Sequence, residues 1–324
     1  MLVGKKTSIV VGVALILIII GAILFYSQTQ TATNRKDFES SDTYKQTKKA
    51  VLVADGYVSS SFWSRNTTTD LPDFVTNIVY SVRNDGNSDA TNVILTVTLD
   101  GSFLTENDVS SLPILEVQTY YVQFSTIYDT VKTMQIQASC ADSTDSYTLS
   151  IGSKFPRQYS GDPNVMKLFV TPNEGSVVNQ KNSILKSKFF LTPDYMALRD
   201  WVGSNIKYTF DSESHGQTDY WQFSKETLST ETGDCEDSAI LLCSLLRAAG
   251  VSANDVYVVV GETQGQGHAW VSFKWFTLLG QPAWIRMEPT AGGEIVTNFF
   301  TDLISTFENR IIYCSFNDLY YSNS

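Results

Sequence analysis

Three residues of this chain have types and spacing that could carry nucleophilic chemistry: Cys235, His268 and Glu288. Cys235 lies in "TGDCEDSAILLCSLLRAAG", where polar sequence gives way to an apolar run. A cysteine there can be a small core residue, a metal ligand or a nucleophile. A nucleophile needs a base, and the chain has 2 histidines, His215 and His268. The first sits in the polar "DSESHGQTDYW" and reads as a surface residue. The second opens "HAWVSFKWF", a strand by its alternation, and "AWIRMEPT" reads as the next strand. If these strands form a hairpin centred on Leu278, Phe276 faces Gly280 and His268 faces Glu288. Ladder partners share a face with Cβ atoms ~5 Å apart, so a carboxylate would stand beside the imidazole. A one-residue slip would undo the pairing. Thiol, imidazole and acid together make a constellation in which the imidazole moves the proton and the acid fixes its tautomer.

The thiol must be held by the element that follows it. Asp234 fits an N-cap, Glu236 and Asp237 fall in the first turn, and Gly250 follows the last periodic residue. From Cys235, helical spacing selects Ala239, Leu242, Cys243, Leu246 and Ala249, while Ile240, Leu241 and Leu245 extend the apolar surface. A helix apolar over most of its circumference belongs inside a domain. Cys235 is thereby expected at the N-terminus of a central helix, where the dipole and an unpaired N–H favour negative charge. Against this, Asp234, Glu236 and Asp237 oppose ionisation, so a cationic neighbour is needed. Cys243, deeper in the stripe, reads as an inert core thiol. Upstream, "LTPDYMALRDWVGSNIKY" predicts a helix with Thr192 as N-cap and Pro193 first, ending near Ser204 to Ile206.

The blocks "KETLSTETGDCEDSAILLCSLLRAAG", "GHAWV" and "MEPT" resemble the Cys, His and acid motifs of the transglutaminase-like superfamily. "TPDYMALRDWVGSNIKYTFDSE" and "DYWQFSKETL" are similar to the helical segments ahead of the nucleophile in its prokaryotic and archaeal members. The resemblance spans roughly residues 165–295. It implies an α+β papain-like core with a central helix packed on an antiparallel sheet. It further implies Cys235 as nucleophile, His268 as general base and acid, and Glu288 as orienting acid. The third position of the family is more often Asp, in a D-P-T run, and here it is one methylene longer. By analogy with donors in related sites, Trp221 or Gln222 would supply an oxyanion contact.

The remainder of the chain sets the context. "MLVGKKTSIVVGVALILIIIGAILFYSQ" is uncharged from 9 to 26, and at ~1.5 Å per residue this run approaches a hydrocarbon core of ~30 Å. Lys5 and Lys6 precede it. The expectation is a cytosolic tip (1–8), a signal-anchor helix (9–26) in the lipid bilayer and an extracytoplasmic remainder; a cleaved signal peptide is the rival reading. Residues 27–49 read as a polar stalk. From 50 to 152 the pattern has period two: Val93, Leu95, Val97 and Leu99 share one face, opposite Asn92, Thr96 and Thr98. These strands predict an all-β sandwich and resemble the Ig-like modules of prokaryotic surface proteins. Residues 165–324 are then the transglutaminase-like domain.

The net charge of -11, without a basic patch, excludes nucleic acid as a natural partner. The 4 cysteines, Cys140, Cys235, Cys243 and Cys314, are too scattered for a disulfide framework. Zinc-ligand spacing and EF-hand loops are missing from the sequence, so no cofactor and no metal are expected. The expected function is a membrane-anchored cysteine hydrolase or acyltransferase acting on protein or wall polymer at the cell envelope. A catalytically silent binding module and a structural envelope protein are the alternatives.

Overall fold

The computed structural model describes residues 47–276, 281–290 and 310–323. The expected anchor helix, the cytosolic tip and most of the stalk lie outside these residues. Among the described residues no helix is long and apolar enough to cross a membrane.

Seven strands follow the stalk: β1 (Leu52–Arg65), β2 (Pro72–Asn84), β3 (Ala90–Leu99), β4 (Ser102–Leu112), β5 (Val117–Ile127), β6 (Val131–Ser139) and β7 (Thr144–Gly152). They form two antiparallel sheets, ordered β1-β2-β5 and β4-β3-β6-β7. Period-two alternation turns one side of each strand inward. Val93, Leu95 and Val97 of β3 and Met134, Ile136 and Ala138 of β6 are fully buried, facing Ile78, Tyr80 and Val82 of β2. The "NDGNSD" turn carries the chain from one sheet to the other. Along the open side, the Leu52 N–H donates to Ser143 Oγ at 3.0 Å and the Ala54 N–H to Asp145 Oδ2 at 2.8 Å.

A helical region comes next: α1 (Pro163–Met166), a 3-10 turn (Lys167–Phe169), α2 (Gly175–Ser187) and α3 (Asp194–Asn205). Pro193, with extended backbone and no side-chain cap bond, stands at the N-cap of α3, one residue later than the expected Thr192. Then follow β8 (Lys207–Tyr208), α4 (Asp211–Ser214), α5 (Ser224–Thr230), β9 (Thr232–Gly233) and α6 (Cys235–Ala248). The last five strands are β10 (Val256–Thr263), β11 (Gln266–Phe276), β12 (Pro282–Met287), β13 (Arg310–Phe316) and β14 (Tyr321–Asn323), in a sheet ordered β12-β11-β10-β13-β14. Helix α6 is the centre of this half. Ala239 to Leu246 are buried, sharing one core with Val256, Val258, Val271, Phe273, Ile285 and Phe316 of the sheet. Tyr195 of α3 stacks on Phe273 of β11, with ring centroids 5.1 Å apart.

The two halves lie within one compact unit, residues 48–324. Arg157, in the segment joining them, is one tie between them, beside Arg65 to the Lys167 carbonyl and the Asn173 N–H to Asp70. Its guanidinium donates to Asp129 of the β5–β6 turn at 2.7 Å and to both oxygens of Glu226 in α5, at 2.7 and 3.0 Å. It also lies over the Phe223 ring, 4.4 Å from the centroid. Trp63 of β1 meets Phe155 edge-on at 4.8 Å, extending the apolar joint.

Candidate active site

Cys235 is the first residue of α6, and Asp234 is its N-cap. The approach is built by β8 and β9, which pair in parallel with Tyr208 beside Gly233. A Cβ at Gly233 would stand 2.7 Å from the Asp237 Cβ, so only glycine lets the Asp237 side chain fold back over the helix start. That carboxylate accepts the Gln222 N–H and the Gln222 Nε2, both at 2.7 Å. The loop ahead of α5 is thereby tied to the first turn of the cysteine helix.

The thiol is half-buried and donates to Glu236 Oε2 at 3.2 Å. The backbone N–H of Ala269, the residue after His268, favours the ionised form of the sulfur. Burial pushes the thiol up from its ordinary range, and the neighbouring Glu236 and Asp234 push it further; the Ala269 N–H acts the other way. Glu236 is itself raised, first by burial and then by the hydrogen bond and charge of Asp234, and Asp237 by burial and the charges of Asp234 and Asp211, against the Gln222 N–H. No hydrogen bond joins the Cys235 sulfur to the imidazole among the described residues.

His268 Nε2 lies 2.8 Å from Glu288 Oε2. The expected hairpin register is corrected here. Strand β12 pairs Phe276 with Pro282 and Val271 with Met287. Continued, this register sets Glu288 across from Trp270, two positions from the imidazole. The apolar "FTLL" stretch carries no turn residue that would have fixed the centre, and a shift by an even number keeps both side chains on one face. A diagonal pair is ~7–8 Å apart where a direct pair is ~5 Å, and the extra methylene of Glu288 over an aspartate extends its reach accordingly.

Glu288 is held at both oxygens. Arg286 Nη2 donates to Oε2 at 2.8 Å, and the Thr290 hydroxyl and N–H donate to Oε1 at 2.6 and 3.3 Å. Burial would raise this carboxyl. The hydrogen bonds and charges of His268, Thr290 and Arg286 outweigh it and hold the group near 2. Arg286 in turn lies over the buried Trp270 ring at 5.1 Å. Arg286 and Thr290 escaped sequence reasoning, although each stands two residues from Glu288 and shares its face by strand period.

Trp221 and Gln222 do not serve as the expected oxyanion donors. Both are buried, Trp221 Nε1 donates to Asp219 Oδ1 at 2.9 Å, and Gln222 Nε2 is spent on Asp237 and the Thr232 carbonyl. His215 stacks on Tyr220 at 4.0 Å. Cys243 is fully buried in the α6 core.

Around the helix start the acids converge. Ligand-capable atoms of Asp211, Asp219 and Glu236 lie within 4.8 Å of one another, as do those of Asp234, Cys235 and Glu236 and those of Asp211, Asp234 and Asp237. Asp211 is 3 % exposed, and its Oδ1 has no hydrogen-bond partner. Burial, then the charge of Asp234, moves its carboxyl up to about 6.

The site thus sets a helix-borne thiol near an antiparallel sheet that carries a His–carboxylate pair. Residues 191–289 match the family described as the transglutaminase-like superfamily. Residues 63–148 match the family described as CARDB. Among solved structures the chain is similar to Legionella pneumophila LapG in its EGTA-treated form, at 19% identity over 51% of this chain and 80% of that one, with a TM-score of 0.33. The calcium-bound form matches at 19% identity over 51% and 82%, TM-score 0.32. The CARDB domain of a Pyrococcus furiosus protein matches at 9% identity over 33% of this chain and 99% of its own, TM-score 0.26. No curated protein matches the chain.

Proposed function

We propose that this chain is a membrane-anchored, extracytoplasmic cysteine hydrolase or acyltransferase that forms a thioester at Cys235. The observation that carries the reading is the His268–Glu288 pair, with His268 on the strand that packs against the cysteine helix. In the resting arrangement the thiol proton points to Glu236. For reaction, His268 takes that proton and the sulfur attacks an amide carbonyl. The carbon–nitrogen bond of the tetrahedral adduct then breaks, and the imidazolium returns its proton to the departing amine. Glu288 orients the ring and stabilises its charged form. Water regenerates the thiol and gives hydrolysis; a primary amine gives transamidation. Residues 9–26 hold the protein in the bilayer, so its substrates are proteins or wall polymers of the cell envelope.

The acids at the helix start fit a hard divalent cation such as calcium. The orphaned Asp211 Oδ1 is an acceptor without a donor, and carboxylate oxygens are the ligands such an ion takes. Asp211, Asp219 and Glu236, whose oxygens lie within 4.8 Å of one another, would hold it. The ion supplies positive charge that offsets the repulsion these carboxylates exert on one another.

One observation favours a second reading, a transglutaminase-like binding module without catalysis: burial, then the charges of Glu236 and Asp234, favours the protonated Cys235 thiol. Hydrolysis of a fluorogenic peptide library by the full chain, with and without added calcium, separates the two. Turnover abolished by Cys235→Ala and by His268→Ala supports the enzyme; binding of envelope proteins unchanged in both variants, with no turnover, supports the module.

A further inference from the structure

The outer face of the β1-β2-β5 sheet, turned away from the core of the sandwich, is built in rows. The register sets Tyr57 across from Val79, and Val79 across from Tyr121. Ladder partners share a face, and neighbouring strands are ~4.8 Å apart, so the two tyrosines stand about 10 Å from one another across the sheet. They are 59 % and 76 % exposed. The next row on this face is Ser60, Asn77 and Gln123. Its groups are bonded in sequence: Gln123 Nε2 donates to Asn77 Oδ1 at 2.8 Å, and Asn77 Nδ2 donates to Ser60 Oγ at 3.0 Å. The amides are thereby held in place, while the Ser60 O–H and the Gln123 Oε1 at the two ends have no partner among the described residues. Phe62, Val75 and Ser125 make the third row. The half-exposed Phe62 also borders a cavity of about 450 Å3 lined by Trp63, Phe74, Asp162 and Asn164. There Asp162 spends one oxygen on the Asn164 N–H.

The order of these rows selects the ligand. An aromatic face is negative by its quadrupole, and the C–H bonds of a pyranose ring present positive hydrogens to it. A sugar also needs hydrogen bonds at its edges, which the amide row between the two aromatic rows supplies. A protein or lipid partner would call for an unbroken apolar patch. None of the three rows holds a charged side chain, and the net charge of -11 opposes an anionic polymer. We propose that this face and its cavity bind an uncharged polysaccharide strand. Tyr57 and Tyr121 stack on its pyranose rings, and the Asn77–Gln123 row bonds their hydroxyls. The cavity beside Phe62 holds a further ring, with Asp162 accepting a hydroxyl. The site belongs to the sandwich half, and its occupancy is independent of the chemistry at Cys235.

The test is calorimetric titration of the full chain with cellohexaose, chitohexaose and mannohexaose, and with hexagalacturonate as the anionic control. The proposal predicts that at least one uncharged hexasaccharide binds and that hexagalacturonate does not. Tyr57→Ala and Tyr121→Ala should each raise the Kd about 10-fold, and Tyr57→Phe, which keeps the ring, should leave it unchanged. Urea unfolding of the alanine variants should match wild type, because both side chains are exposed. Absence of binding to all three uncharged probes overturns the proposal, as does binding indifferent to both alanine variants. A chain that binds no glycan but sediments as a dimer, dissociated by the same variants, gives the face to a second copy and overturns it too.

Discussion

His268 and Glu288 are bonded at 2.8 Å although they are not directly opposed in the β11–β12 ladder. The carboxylate reaches back along the face of the sheet, steadied by Arg286 on one oxygen and Thr290 on the other. This geometry gives the longer acid a reason. Glu288→Asp is expected to lower kcat/KM by about 100-fold, because a carboxylate drawn back toward Trp270 misplaces the imidazole by about 1 Å. Steady-state kinetics on the variant check this.

The same carboxylate makes a pH-dependent contribution to stability. Its folded value, about 2, lies below the ordinary 4.5 of a glutamate. The contribution is therefore complete above about pH 4.5 and is lost as pH falls toward 2. It is on the order of 3 kcal/mol at neutral pH, at 1.36 kcal/mol per unit. Glu288→Gln should thus be less stable than wild type in urea at pH 7, with the difference shrinking steadily toward pH 2.

Asp211 carries the opposite sign. Its folded carboxyl, about 6 against the ordinary 3.8 of an aspartate, costs stability that is absent below about pH 3.8 and fully present above about pH 6. Without added metal, Asp211→Asn should raise stability at pH 8 by on the order of 2 kcal/mol, since an amide oxygen can still accept the Tyr220 N–H. With calcium, wild type should gain thermal stability and the variant should not. Differential scanning calorimetry in EGTA and in calcium reads both effects.

Arg157 is one charge on which the joint between the halves rests. Arg157→Met leaves Asp129 and Glu226 without their partner. Because those side chains keep 37% and 27% exposure, the loss should be about 2 kcal/mol, below the ~3–5 kcal/mol of a fully buried broken pair. Arg157→Lys should recover only part of it, since an ammonium cannot replace the fork that grips both Glu226 oxygens. Urea unfolding of both variants measures the difference.

Gly261 is opposite His268 on one side and Ile312 on the other. A Cβ there would meet the Ile311 carbonyl oxygen at 2.0 Å, a backbone atom that cannot swing aside. Gly261→Ala should cost about 2 kcal/mol in thermal unfolding through the forced shift of β10 from β13.

The parts of the molecule that follow local periodicity were legible in the sequence. Helix α6 runs Cys235–Ala248 behind an Asp234 cap because its apolar spacing and its terminal residues agree. The inward face of β3 follows from alternation alone. The β11–β12 register was less legible, since "FTLL" lacks the residues that select a turn, yet parity kept His268 and Glu288 on one face. Long-range partners were illegible. Nothing local to Trp221 and Gln222 announces that Asp219 and Asp237 will consume their donors. The convergence of Asp211 with Asp219 and Glu236 depends on a loop folding onto a helix start, and the tie at Arg157 joins residues 28 and 69 positions away.

The thiol at the head of α6 and its imidazole partner are tested most directly by competitive alkylation. The full chain is treated with limiting iodoacetamide at neutral pH, and Cys235 is compared with Cys140, a half-buried cysteine of the β-sandwich half, by peptide mass spectrometry. The account predicts that Cys235 is modified at least about 10-fold faster than Cys140, and that His268→Ala removes the advantage. Equal labelling of the two cysteines, or a fast Cys235 indifferent to His268→Ala, would contradict it.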